Sequence, residues 1–462
     1  MISPDVEPSS RYAAAHTPYG QSGYGRSILI ALFILSLLMP IRPEIAELRL
    51  DPYRLLLLIM FAPLLVKLFS GRAGYFTASD GFLILFVLWS IFIYLFHHGT
   101  EKLAYALITN IGILGGYLAG RLLIRSDVDY RRFIRFVMIA ILLMFPLAVF
   151  ELVTFRVPIS EMFGKFTTVI PKSMDPRYGL SRVQVTFPHA IHFGLFCSVT
   201  VANIYYLYSG SMSRMLPLMG LALSMVVMSL SSAPLLATLL QIIIIIWGKL
   251  TGGRWRLLII LAVLAYVMID LLSNRGPIII LIETMTINSR TGWWRIHIWN
   301  YGSQSVLNHP FFGIGLNEWV RPDWLAASVD NFWLIIAMRF GFPGIILFAM
   351  ALAIHIYRVV RLKTLNADQK ALRTGYVVSL AGILFTLTTV HVWDAMNAFI
   401  MFYIGAGAFL YTSSSGEELP SSEPKDLEGP TVRIQGARRE RSLPFSRSPN
   451  RGTHQPHTLE EQ

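Results

Sequence analysis

Residues 80–97 read DGFLILFVLWSIFIYLFH, eighteen positions with one carboxylate and no lysine or arginine. As an α-helix such a run is about 27 Å long, close to the hydrocarbon thickness of a bilayer. The chain repeats the pattern. Apolar runs recur at 27–45, 52–69, 80–97, 102–124, 133–154, 188–208, 214–231, 233–248, 255–272, 331–357, 375–391 and 395–412. In SLSSAPLL (229–236), Pro234 marks a tight turn between two of them. The expectation is an all-α, polytopic membrane protein with about twelve transmembrane helices.

Composition agrees. Of 462 residues, 54% are hydrophobic and 14% charged, against about a quarter charged in soluble domains. Mean hydropathy is +0.55. The net charge of +12 reads as basic loops holding topology rather than as a nucleic-acid surface. The single cysteine, Cys197, lies in an apolar run, which excludes an internal disulfide and a cysteine-rich metal site. Arg26 precedes ILIALFILSLLMP (28–40), about the length of a signal-peptide core. A long polar stretch comes before it and no small-x-small site follows, so it reads as an uncleaved first transmembrane helix.

Orientation follows from the short loops. With the N-terminus in the cytoplasm, Lys67, Arg125, Arg131, Arg132, Arg214, Lys249, Arg254, Arg358, Arg361, Lys370 and Arg373 all fall inside, while few basic residues, chiefly Arg42, Arg49 and Lys102, fall outside. The reading divides the chain into a cytoplasmic tail (1–26), a transmembrane domain (27–412) and a Ser-, Pro-, Glu- and Arg-rich tail (413–462) expected to be disordered in the cytoplasm. Two longer segments, about 155–187 and 273–330, are expected outside. Both hold arginines, and the positive-inside rule weakens for long translocated loops.

The larger external segment carries NSRTGWWRIHIW (288–299). A helix over 290–307 sets Arg290, Trp293, Trp294 and His297 on one face and turns Arg295 away, towards Trp299. Such a helix suits the membrane interface, where tryptophans sit at headgroup depth. It equally suits a lipid-linked ligand, because arginine's fork binds diphosphate and tryptophan faces stack on sugars. In NHPFFGIGLNEW (308–319), Pro310 ends the helix and Gly313 and Gly315 allow sharp turns. His309 reads as a turn or interface residue, and Glu318 is within reach as a base. In SVDNFWLIIAMRFGFPG (328–344), Asp330 and Asn331 open the next helix, with Asp330 either a helix cap or a base. Arg339 lies about two turns deeper, either snorkelling or functional.

In the smaller external segment, Lys172, Arg177 and Arg182 are anion-binding candidates as much as solvated surface charges. His189 and His192 supply half a metal site with no third ligand in view, so no metal is expected. No P-loop, HExxH motif or dinucleotide fingerprint is present, and no cofactor is expected.

These residues resemble the O-antigen ligase and polymerase (Wzy-type) superfamily. The resemblance rests on Arg290, the His309–Pro310 pair with Gly313 and Gly315, Asn331, and Gly341 with Gly344. Arg182 before TFPHA and the SLSSAP segment also sit where the family has characteristic stretches. It covers most of residues 80–412, with a specific part of about 60 residues. One departure stands out: the family's His-Asn pair is Asp330–Asn331 here. In ligases that histidine is the base, so either Asp330 replaces it or the base lies elsewhere.

The resemblance implies glycosyl transfer on the outer face of the bacterial inner membrane, from a polyprenyl-diphosphate-linked oligosaccharide donor to a hydroxyl of a second lipid-linked unit. Arg290 and Arg182 then bind diphosphate and Asp330 acts as base. Arg295, Trp294, His297, His309, Glu318, Asn331 and Arg339 line the substrate. A flippase and a chain-length-regulating co-polymerase are the partners such a polymerase implies. A ligase differs only in acceptor. A transporter of lipid-linked glycan needs polar residues along a mid-membrane path, whereas the sequence concentrates them in external loops. A non-catalytic export scaffold predicts that single arginine changes are tolerated.

Overall fold

A computed structural model describes residues 23–45, 48–71, 74–172, 176–274, 280 and 289–412. The side chains of 44, 45, 48, 49 and 289–291 lie outside this description, as do both expected tails, 1–22 and 413–462. In chain order the helices are α1 (Gly23–Leu38), α2 (Pro52–Phe69), α3 (Ala78–His98), α4 (Leu103–Asn110), α5 (Gly116–Leu123), α6 (Asp127–Thr154), α7 (Pro158–Phe163) and α8 (Ala190–Tyr208). They continue with α9 (Met212–Met228), α10 (Ser232–Thr251), α11 (Trp255–Leu272), α12 (Ser289–Asn308), α13 (Phe332–Arg361), α14 (Ala367–Leu387), α15 (Asp394–Ala406) and α16 (Phe409–Thr412). The only sheet among the described residues is a two-residue hairpin, Glu44–Ile45 against Leu48–Arg49. Every apolar run read from the sequence contains a helix, although the first, read as 27–45, ends its helix at Leu38 and enters a strand at Glu44–Ile45. Among the described residues, nine helical stretches are long and apolar enough to cross a membrane, and α1 and α9 are shorter apolar helices.

Local chemistry sets the helix ends. Thr77 and Asp80 form a reciprocal capping box at the start of α3, and Gly99 at φ 61° stops it. Between α4 and α5 the chain makes a π-helical stretch, Ile111–Gly115. Helix α5 lies against α15 at backbone distance. A Cβ added at Gly120 would sit 2.0 Å from the Phe402 carbonyl oxygen, and one at Gly405 would sit 2.1 Å from that of Tyr117. Small residues let transmembrane helices approach this closely.

One end of the bundle gathers the chain ends of α1, α6 and α14. Arg26 pairs with Asp129 at 3.2 Å and Arg131 with Asp368 at 3.3 Å. The opposite end gathers the two long segments and the short turns. Ile170 N–H donates to the Pro40 carbonyl at 3.0 Å, and Val183 N–H to that of Met228 at 3.2 Å. Asn331 Nδ2 donates to the Thr388 carbonyl at 2.7 Å. Arg42 and Arg54 both bind Asp394, at 2.6 and 2.7 Å.

Polar residues are not confined to the loops, contrary to the sequence expectation. Asp80, Arg121, Asn203, Gln241 and His355 are buried between helices. They bond to one another and to tyrosines: Tyr117 donates to Asp80 at 2.6 Å, Tyr130 to Asn203 at 2.7 Å, and the His355 ring meets Tyr376 and Tyr411 on its two nitrogens. Fully bonded pairs of this kind join helices rather than open a path.

Candidate functional site

The external segment folds onto the start of α13 through its own apolar core. Ile298 and Val306 of α12, Ile314, Trp319, Leu325 and Val329 pack on Leu334, Ile335 and Met338 of α13. Gly302 marks the crossing, since a Cβ there would meet Leu334 at 2.7 Å.

Below this core α13 is broken. Gly341 has φ 68° and ψ −173°. Pro343 has no N–H, and the Phe342 N–H turns away to donate to the Pro310 carbonyl at 2.7 Å. The carbonyls of Met338 and Arg339 therefore lose their helical donors. The glycine loop replaces them: Ile314 N–H donates to Met338 at 2.8 Å and Gly315 N–H to Arg339 at 3.0 Å. Buried backbone groups need partners, so the motif after His309 and the glycines of α13 form one device. Gly313 has φ 59°, and a Cβ there would lie 2.5 Å from the Arg339 backbone.

Asn331 takes the capping role at α13, its Oδ1 accepting from Leu334 N–H at 2.9 Å. Asp330 is thereby relieved of it. Its side chain makes no hydrogen bond or ion pair with the described residues, and its charged neighbour is Arg295. Burial raises the Asp330 pKa above the usual carboxylate value, while the Arg295 charge pulls it down. Yet Asp330 is exposed to solvent. Asp330 is thus open to solvent while feeling both the surrounding protein and the Arg295 charge.

Arg295 is half-buried, and its Nε has no hydrogen-bond partner. Burial lowers its pKa; the Asp330 charge raises it, and the Arg177 charge lowers it again. Thus the charged neighbours of Arg295 come from the residue before the cap of α13 and from the first long segment. Arg177 is held by its own chain: its Nη1 donates to the Leu230 carbonyl at 3.0 Å, and its backbone pairs with Leu180 around a turn. Arg182 is buried nearby, with Nη2 donating to Ser231 Oγ at 3.0 Å. Both pin the SLSSAP turn. Beneath them, Glu151 accepts the N–H groups of Gln184 and Val185 at 2.9 and 2.8 Å. Lys172 donates to the Val185 carbonyl, and burial pushes its pKa down to about 8, against the opposing pull of Glu151.

The aromatic wall has a member the sequence did not mark. Trp324 lies 4.9 Å from the His297 ring and 6.0 Å from Trp294, while Trp293 stacks along the helix on His297 at 6.2 Å. Nothing in RPDW distinguishes Trp324 locally; only the return of the loop brings it there. The remaining residues go elsewhere. The His309 side chain is exposed at the end of α12. Glu318 is exposed and paired with Arg321 at 3.1 Å. Arg339 lies near Tyr94 and His391, close enough for its charge to act on both. Arg290 has its backbone in α12 and its side chain outside the described residues. His189 and His192 lie around Trp393, at 6.2 and 4.1 Å, and among the described residues no group of three or more metal-ligating side chains forms.

No curated protein matches the chain. A family match does exist, and it spans the parts just described: the end of α9, the SLSSAP turn, α12, the glycine loop, Asp330 and the break in α13. Residues 217–349 match the family model described as O-antigen ligase, so this part of the chain is similar to the O-antigen ligase family.

Proposed function

We propose that the protein polymerises a surface or extracellular polysaccharide by transferring one polyprenyl-diphosphate-linked oligosaccharide onto another at the periplasmic face of the inner membrane. The observation that supports this reading is that Asp330 and Arg295, a carboxylate and a guanidinium with no side-chain hydrogen bond or ion pair among the described residues, feel each other's charge, with Arg295 on the helix that carries a tryptophan–histidine cluster. In the reaction the acceptor hydroxyl loses its proton to the Asp330 carboxylate and its oxygen bonds to the donor's anomeric carbon. The bond from that carbon to the diphosphate oxygen breaks, and its electron pair leaves with the diphosphate. Arg295 and Arg177 balance the charge that develops there. A raised carboxylate pKa suits a base that must also be re-protonated easily. Trp293, Trp294 and Trp324 offer faces to the sugars. A flippase that delivers the lipid-linked unit and a co-polymerase that sets chain length are the partners this reaction calls for.

A ligase is favoured by the description of the matched family itself; Asp330 in place of the family's histidine favours the polymerase. Deletion separates them. A polymerase deletion leaves single repeat units on the lipid, whereas a ligase deletion leaves finished polymer on it. Arg295→Ala should reproduce the deletion, and Arg295→Lys should do little better because the two-pronged fork is lost. Wild-type polymer from Arg295→Ala overturns the site.

A further inference from the structure

The glycine loop has a second clamp. At the external end of α3, His98 Nε2 accepts the Leu316 N–H at 2.8 Å. Beside it, His97 Nε2 lies 3.3 Å from the Phe312 carbonyl oxygen. Gly315 is pressed between them: a Cβ there would stand 2.9 Å from His98 Nε2 and 3.1 Å from the His97 ring. The loop therefore lies between the broken backbone of α13 on one side and two imidazoles on the other. Three residues beyond this clamp the chain enters Trp319, Trp324 and the return to Asp330.

We propose that His98 is a positioning residue for the transfer reaction, acting through the lone pair on Nε2 to hold the glycine loop and, through it, Asp330 and Trp324 over the cleft. The inference rests on the function proposed above. A backbone N–H can be accepted only by an unprotonated ring nitrogen, so His98 works as the neutral tautomer with its proton on Nδ1. Protonation sets two donors face to face and releases the loop. The charged and titratable neighbours of His98 are His97 on α3 and Lys102 in the following turn. Among the described residues no carboxylate pairs with it. The Nε2 edge of the ring meets backbone at Gly315 and Leu316.

The test compares wild type, His98→Gln and His98→Phe in full-length protein. Glutamine offers an acceptor that does not titrate; phenylalanine offers none. Polymer synthesis is measured in steps from about pH 7.5 to below about pH 5, because burial and the charges of His97 and Lys102 lower the His98 pKa below that of an ordinary histidine. The ratio of His98→Gln to wild-type activity should rise about five- to tenfold towards the lowest pH, whereas His98→Phe should be poor throughout with normal abundance. Asp330 titrates equally in all three proteins and cancels in the ratio. Backbone amide exchange of residues 309–318 provides a readout independent of activity: protection should fall on acidification in wild type and persist in His98→Gln. If exchange behaves so and none of the proteins makes polymer or ligated glycan, the proposed function fails and the clamp stands. A His98→Phe protein with wild-type exchange and activity, or a His98→Gln protein with the wild-type acid loss, overturns the proposal.

Discussion

At the scale of single residues, neighbours with similar chemistry have different tasks. Asp330 and Asn331 both suit a helix start, and sequence alone leaves either to cap it. In the structure Asn331 caps and also ties α13 to Thr388. Asn331→Ala should cost about 1 kcal/mol of stability through the lost cap and lower abundance, read by thermal unfolding in detergent. Asp330→Asn should behave oppositely. Its raised pKa means that the ionised form is disfavoured by the fold. Any stability from the protonated form is complete below the unfolded-state value and disappears as pH rises through the folded one. At neutral pH, then, removing the charge should leave the melting point equal or higher. Activity should fall about 10²–10⁴-fold, as for loss of a general base. The wild-type acid limb should also lie above the ordinary carboxylate range, because Asp330 must be ionised to accept a proton. An Asp330→Asn protein that polymerises at the wild-type rate removes Asp330 as base. Glu318, exposed and paired with Arg321, and the exposed His309 then become the next bases to test.

At the scale of elements, helices were readable because twenty apolar residues in lipid have few other options for their backbone. The helix over 289–308 was readable too. What its faces meet was not, because a helical wheel orders residues on their own helix and says nothing of the partner. The wheel set Arg295 on a different face from Arg290, Trp293, Trp294 and His297; the charges that influence it are those of Asp330 and Arg177, which no wheel shows. The pairing of the glycine loop with α13 was equally hidden. Gly313, Gly315, Gly341 and Pro343 each signal a local irregularity. That the carbonyls freed by one are bonded by the other is a matter of tertiary distance. This pairing gives a test. A Cβ at Gly341 would sit 2.3 Å from the Phe311 carbonyl oxygen, on a residue with φ 68°. Gly341→Ala combines left-handed strain with overpacking and should cost about 2–5 kcal/mol. Gly112, with open space around its Cα, provides the control, and Gly112→Ala should leave the melting point nearly unchanged. Equal melting points for the two variants contradict the loop–helix pairing.

At the scale of the whole molecule, contacts constrain the number of crossings. Arg177 in the first external segment and Arg295 in the second are close enough to sense each other's charge, so an even number of passes must separate them. Helices α8, α9 and α10 supply three. If the short α9 also crosses, the fourth is α11, which is long and apolar enough although not one of its residues is buried. A helix with every side in lipid can still span, because its backbone is bonded internally and its side chains are apolar. From Arg295 onward, α13, α14 and α15 make three passes, which returns the chain to the side where Arg131 meets Asp368. The basic residues of the short loops lead us to propose that this side is the cytoplasm. Reporter fusions at Gly253, Ser303 and Ser414 test each step. A reporter active only in the periplasm should work at Ser303 and fail at Gly253 and Ser414, and a cytoplasmic reporter should give the reverse. The same compartment for Gly253 and Ser303 means that α11 does not cross, and the two arginines cannot then share a cleft. The same compartment for Ser303 and Ser414 removes the odd number of passes after the site, and with it the external placement of Asp330.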